Sequence, residues 1–420
     1  MTQNNHLNRR TVMKTLSGAA IGGSLLTGSA SARGRSSRGR GPKNVVTIEA
    51  GHDHDPDDPE WWLDIDRQEI PPGWVTFEFE NLTDHTHFGY MVKVSEPAIE
   101  GIFDSPGLVE FEPNPDIRGQ WGEKWRHAVN EPFQDAWDPY HGGDWPVGDA
   151  FNPEPETFMG ELVFNVPDWF LIPGYAESVG GPGFTGGEQT SWTTQYLDPG
   201  VYILECYVLD DEGRFHSPFG MVEHVVVTND RERGNEPSAD MSVSINSTDG
   251  ITFDESDIQP GRYTVEVIFE DNIPYPNFLG HDVNLLRKDD VDMEQLEYWM
   301  DYLDAEDPLD PESMYMDRGA LTSTHHDPGP ETFLGGVQDV FAGDEPGFVE
   351  DEYPVSTYID VTLEPGEYAW IAEVADPEGL GMFEEFSVVP PGHQSRTSTI
   401  TRGPGGRDVG RRTRGRNGRS

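Results

Sequence analysis

Three short motifs in this 420-residue chain occur twice and in the same order. Glu69–Phe79 (EIPPGWVTFEF) is echoed by Asp257–Val267 (DIQPGRYTVEV), Pro155–Gly160 (PETFMG) by Pro330–Gly335 (PETFLG), and Leu197–Tyr202 (LDPGVY) by Leu363–Tyr368 (LEPGEY). Matches that keep their order indicate a duplicated unit, so the chain must solve one folding problem twice. Pro-Gly is a turn signal, and the runs launched by Gly73, Gly200, Gly261 and Gly366 are rich in β-branched and aromatic residues, which reads as strand. Trp74–Glu80 alternates as a half-buried strand does, and Val45–Ala50, Trp61–Ile65, Tyr90–Val94, Val201–Leu209 and Met221–Thr228 read as further strands.

Each copy also carries a helical pattern. Trp121, Trp125 and Val129 fall at helical spacing within Gln120–Trp137, and Met293, Leu296, Trp299, Met300 and Leu303 do so within Val291–Leu303. The first pattern lies in what reads as one long insertion between Val94 and Leu197. The glycine-rich stretch Gly180–Gly187 lacks a following Lys-Ser/Thr and is no phosphate loop.

The chemistry is concentrated in the first copy. Cys206 is the only cysteine, which rules out an intramolecular disulfide. His216 and Met221 follow it closely. A soft thiolate, an imidazole and a thioether on one short loop suit copper, and a His₂Cys set with a weak axial Met makes an electron-transfer centre. The series Pro199, Gly200, Tyr202, Cys206, His216, Met221, followed by a valine-rich strand, resembles the copper loop of cupredoxins, the blue copper β-sandwiches. The gap between Cys206 and His216 is longer than in plastocyanin-like members and closer to the type 1 loop of copper nitrite reductases. The resemblance implies another ligand, a His after an Asn-containing loop. Asn81–His87 (NLTDHTH) supplies it as His87, with His85 as the alternative.

What the resemblance implies is an all-β chain of two tandem cupredoxin-like Greek-key β-sandwiches with helical insertions. One type 1 copper would be held by His87, Cys206, His216 and Met221, with Cys206 and His216 as the electron route to the surface. The second copy is degenerate. Ala372 stands where Cys206 would, Asp376–Met382 contains no His, and only His281 survives at the upstream ligand position. His325 and His326 could join His281 in a different site.

Enzymes of this kind place a His beside the ligand Cys, but here the neighbours are Glu205 and Tyr207. No catalytic residue is therefore assigned, and the first reading is an electron carrier. Two others stand beside it. One is a copper oxidoreductase, nitrite reductase or multicopper oxidase-like, with a second copper site built from His85, His224 or a His of the second copy. The other is a cell-surface structural protein on cupredoxin scaffolds. The polar loop His52–Asp58 reads as a solvated acidic turn, beside the alternative that its two His and several carboxylates hold a hard or borderline ion.

Charge is unevenly spread. Of 28 Lys/Arg and 77 Asp/Glu, residues 1–43 hold eight bases and no acid, and residues 391–420 hold eight Arg and one acid, Asp408. That leaves 76 acids against 12 bases for residues 44–390, a surface that repels itself and needs salt to screen it. A saline environment is expected, and nucleic acid is excluded as a partner of the body. Residues 1–32 read as a twin-arginine signal: Arg9-Arg10-Thr11-Val12-Met13-Lys14, a weakly apolar stretch from Leu16 to Leu26, and Ala30-Ser31-Ala32 for cleavage. The stretch is too short to span a membrane. The division expected is signal peptide 1–32, basic linker 33–43, copper domain 44–229, linker 230–239, degenerate domain 240–390 and disordered Arg/Gly-rich tail 391–420. The product would be extracellular or bound at the cell surface, with a redox protein as partner and the Arg-rich tail offering electrostatic attachment.

Overall fold

The computed structural model describes residues 44–52, 61–94, 121–135, 176–210, 214–253, 258–271, 281–289, 332–340, 353–374 and 377–390, with Val291, Leu296, Trp299 and Met300. The signal, the basic linker, Pro155–Gly160, His325, His326 and the Arg-rich tail lie outside them.

Among the described residues the first copy supplies β1 (Asn44–His52), β2 (Trp61–Ile65), β3 (Glu69–Ile70), β4 (Gly73–Asn81), β5 (Tyr90–Val94), β6 (Ala176–Ser178), β7 (Thr190–Leu197), β8 (Gly200–Glu205) and β9 (Val222–Val227). The second supplies β10 (Met241–Asn246), β11 (Gly250–Thr252), β12 (Gly261–Phe269), β13 (Val283–Arg287), β14 (Phe333–Val337), β15 (Val355–Leu363), β16 (Gly366–Ile371) and β17 (Phe383–Val388). Each copy is a sandwich. In the first, β7-β4-β1-β2 faces the sheet β3-β9-β8-β5-β6; in the second, β11-β10-β12-β15 faces β14-β13-β16-β17.

Period-two burial explains why these runs are strands. Val46, Ile48 and Ala50 of β1 point inward while Glu49 points out. They meet Val75, Phe77 and Phe79 of β4 and, from the facing sheet, Met91, Tyr202, Leu204, Val225 and Val227. Fully burying one such side chain stabilises by about 1.5–3 kcal/mol. The repeated Pro-Gly motifs have a second use. Tyr202 donates its hydroxyl to the Asp198 carbonyl at 2.7 Å, and Tyr368 donates to Glu364 at 3.0 Å. Each tyrosine thus ties the start of its strand to the preceding turn.

The two copies share one continuous sheet. β7 and β15 run antiparallel side by side, with Thr193 opposite Ile359. Thr193 stands four residues before Leu197 and Ile359 four before Leu363, so equivalent positions pair across a pseudo-twofold axis. A second seam is made by the glycine-rich stretch. Gly183 and Gly186 donate to Gly336 and Phe333, and Gln338 donates back to Gly181, all at 2.9–3.0 Å. A Cβ on Gly183 would lie 2.4 Å from Asn284 Oδ1, and Gly181 has φ +105° with its Cβ position 2.0 Å from the Gly89 carbonyl. Only glycine permits these approaches.

Two expectations need correction. The span Val94–Leu197 is not one insertion, because β6 and β7 are sandwich strands; the insertion is what lies between β5 and β6. Within it, α1 (Trp121–Trp125) continues as a π-turn over Arg126–Asn130 and buries Trp121, Trp125 and Val129 against Val92, Ile203 and Val222. The strand read from Val201 to Leu209 ends at Glu205, because the chain beyond it bends to form the Cys206–His216 loop. The segment between the copies is held in place: Arg233 donates to the Pro72 carbonyl at 2.8 Å, and Tyr358 donates to Glu236 at 2.9 Å. No helix among the described residues is long and apolar enough to cross a membrane.

Candidate metal centre

Cys206 follows β8 directly, in an apolar core at 0 % exposure. Its amide donates to the Met221 carbonyl at 3.1 Å, and the Met221 amide donates to the His216 carbonyl at 3.1 Å. The intervening loop is closed as a small hairpin. His216 donates to Val208 at 3.0 Å, Leu209 bridges to Phe215, and Arg214 caps Asp210 through Nε at 2.8 Å. Pro218 starts a 3-10 turn over Ser217–Phe219, which ends at Gly220 with φ +121°. A Cβ there would lie 2.2 Å from the Trp61 carbonyl, so the loop's closure requires glycine.

His87 reaches the same place from the loop between β4 and β5. It exchanges backbone hydrogen bonds with Thr185 at 3.1 and 2.8 Å. The loop before it is pinned by Asn81, whose buried amide donates to the carbonyls of His85, Thr185 and Gly186 at 2.6, 2.9 and 3.1 Å. Its oxygen accepts from the Thr83 amide and hydroxyl.

The structure therefore brings His87, Cys206 and His216 together. One ligand atom from each lies within 4.8 Å of the others, and all three side chains are buried. Cys206 Sγ and His87 Nδ1 are 3.7 Å apart. Donors at about 2.3 Å (S) and about 2.0 Å (N) from a shared ion, subtending about 120°, would be about 3.7 Å apart. The donor set and its spacing fit a first-row metal ion. Met221 is buried in the same core cluster and is tied by its backbone to both loop ligands. His85 falls elsewhere: it clusters with His52 and Asp84.

Several neighbours were not legible from sequence. Trp61 stacks on His216, with ring centroids 3.8 Å apart and planes 18° from parallel. His216 is wholly covered. Tyr207 packs edge-on to Phe88 at 4.4 Å. Glu205 is enclosed beside the cysteine and accepts from Trp125 Nε1 at 2.9 Å and Asn130 Nδ2 at 2.6 Å. Burial raises its carboxyl, opposed by those two hydrogen bonds. His224 is buried with Nδ1 3.2 Å from Glu223, in neither cluster.

The second copy keeps the scaffold without the thiolate. The Ala372 amide donates to the Met382 carbonyl at 3.1 Å, the counterpart of the Cys206–Met221 bond. A methyl group occupies the thiolate's place. His281 is fully buried, and burial holds it down to about 4 against the pull of Asp271.

No family model matches this chain, and no curated protein matches it. Among solved structures, auracyanin B is similar at 14% identity and a TM-score of 0.21, over 37% of this chain and 94% of its own. A multicopper oxidase is similar at 10% identity and 0.17, over 82% and 88%. The copper-containing nitrite reductase of Thermus scotoductus SA-01 is similar at 8% identity and 0.17, over 82% and 61%. These likenesses are too slight to bear on the chemistry of the site.

Proposed function

We propose that this chain is an exported type 1 copper protein that holds one copper in its first sandwich and passes single electrons to and from a partner protein. The observation that carries the reading is the convergence of His87, Cys206 and His216 in a fully buried pocket. A thiolate with two imidazoles is the donor set of electron-transfer copper, and Met221 would supply a thioether to it. Copper held by these residues would supply one-electron exchange between its two oxidation states.

The protein's part is to hold the donors still. Asn81 fixes the His87 loop, the Cys206–Met221–His216 backbone bonds fix the other side, and Trp61 excludes water over His216. Rigid donors disfavour large changes of geometry between oxidation states, which favours fast exchange. The twin-arginine segment supports export, and the acidic body supports a saline setting.

Anaerobic reductive titration of the copper-loaded protein tests the reading. One electron per chain, taken up and returned reversibly, with no turnover of nitrite or dioxygen, is the expected result. Uptake of two electrons, or turnover of either substrate, would mean an enzyme.

A further inference from the structure

Three side chains form a second cluster on the solvent side of Trp61. His52 ends β1, while Asp84 and His85 lie in the loop that leads to His87. One ligand atom from each lies within 4.8 Å of the others. His85 Nε2 is 3.3 Å and His52 Nε2 3.8 Å from Asp84 Oδ1. We propose that His52, Asp84 and His85 bind a second metal ion, a borderline divalent cation of the zinc or cupric class, outside the Cys206 site.

The donor chemistry selects that class. Two imidazoles and one carboxylate suit zinc and divalent copper, whereas calcium and magnesium demand oxygen. Two donors about 2.0–2.1 Å from a tetrahedral ion lie roughly 3.3 Å apart. The His85–Asp84 separation already matches, and the His52–Asp84 separation needs closing by a few tenths of an ångström. Asp84 can supply that movement, since its side chain is 71% exposed.

The imidazoles are held in place. The His52 side chain is only 8% exposed and stacks on Trp61 at 4.5 Å, 15° from parallel. The His85 ring stands edge-on to His52 at 5.1 Å and to Trp61 at 5.7 Å, and its carbonyl is gripped by Asn81. The backbone of Asp84 rests on Gly187, where a Cβ would come within 2.7 Å of it. Two largely covered imidazoles and one exposed carboxylate make a set that an ion enters from outside.

The second copy shows that the sandwich does not need this cluster. Ile48 pairs with Phe79 and Val243 with Val267, so His52 corresponds to Ser247. Ser247 donates its hydroxyl to Asp271 at 2.8 Å. Among the described residues, the paired imidazoles belong to the first copy alone.

Calorimetric titration of Zn(II) into the full chain carrying Cys206→Ser tests the assignment, with about 1 M salt to screen the surface acids. The thiolate is absent throughout, so the outcome does not depend on whether Cys206 holds copper. One ion per chain is expected. Its affinity should fall at least about tenfold on adding Asp84→Asn, His52→Ala or His85→Ala, and remain on adding Glu49→Gln, an exposed acid on the same strand. Asp84→Asn is the deciding variant, because an exposed side chain changes without disturbing the core; near-ultraviolet dichroism checks the other two. No one-to-one step, or equal affinity in the parent and the Asp84→Asn variant, overturns the proposal in favour of diffuse binding by surface carboxylates.

Discussion

The indole of Trp61 lies flat on the imidazole of His216 and edge-on to that of His87, whose centroid is 5.6 Å away. One side chain of β2 therefore roofs two of the three donors. Trp61→Ala should cost about 3–5 kcal/mol in denaturant unfolding, as large-to-small changes at buried aromatics do. It should also speed removal of bound metal by a chelator, because water gains access to the donors. Trp61→Phe should restore most of both. An unaltered chelation rate in Trp61→Ala would show that the ring does not guard the site.

The two histidines of Asp84-His85-Thr86-His87 have separate surroundings and should have separate phenotypes. His87 faces Cys206 Sγ at 3.7 Å, while His85 faces Asp84. Replacing His87 by Ala should abolish the visible absorption of the copper-loaded protein. The same change at His85 should leave that absorption in place. The reverse pattern would exchange their roles.

Stability should fall as pH rises through neutrality. Asp282 and Asp339 are buried, and burial pushes each carboxyl up to about 7. Glu373 beside them is raised too, by burial first and then by the charges of Asp282 and Asp339. In the unfolded chain an aspartate returns to about 4. The folded groups hold their protons to higher pH, so their stabilisation is complete below about pH 4 and is lost as pH rises through about 7. The slope is at most about 1.4 kcal/mol per pH unit for each group. Denaturant midpoints measured in high salt should decline between about pH 5 and about pH 8, and Asp339→Asn should flatten the decline. A flat profile in the parent protein would contradict this.

The parts of the fold that could be read in advance are those where local chemistry and burial agree. Pro199-Gly200 followed by Val201, Tyr202, Ile203 and Leu204 reads as a turn and a buried strand, and it is one. Ala372 could be placed opposite Cys206 because LDPGVY and LEPGEY align the two copies. β7 could not be read, because Thr193, Thr194 and Gln195 look like loop residues. They are buried at the seam with their polar atoms satisfied: Thr193 donates to Gly336, Thr194 shares a hydrogen bond with Thr76, and Gln195 accepts from Gly181. Those partners lie far away in sequence, so no local pattern announces them. The same holds for His52, Asp84 and His85. His52 reads as part of a solvated turn and His85 as a stand-in for His87, and only the pairing of β1 beside β4 brings them together with Asp84.

The central claim is that the Cys206 thiolate is a copper ligand. The most direct measurement is the visible spectrum, with metal analysis, of the purified chain and of Cys206→Ser after copper addition. The serine hydroxyl is nearly isosteric, and the Cys206–Met221 backbone bond does not involve the side chain, so the variant should fold. The parent should bind copper through the thiolate and show an intense blue band, and the variant should lose that band completely. A parent that stays colourless with copper added, or a variant with an unchanged spectrum, would contradict the account.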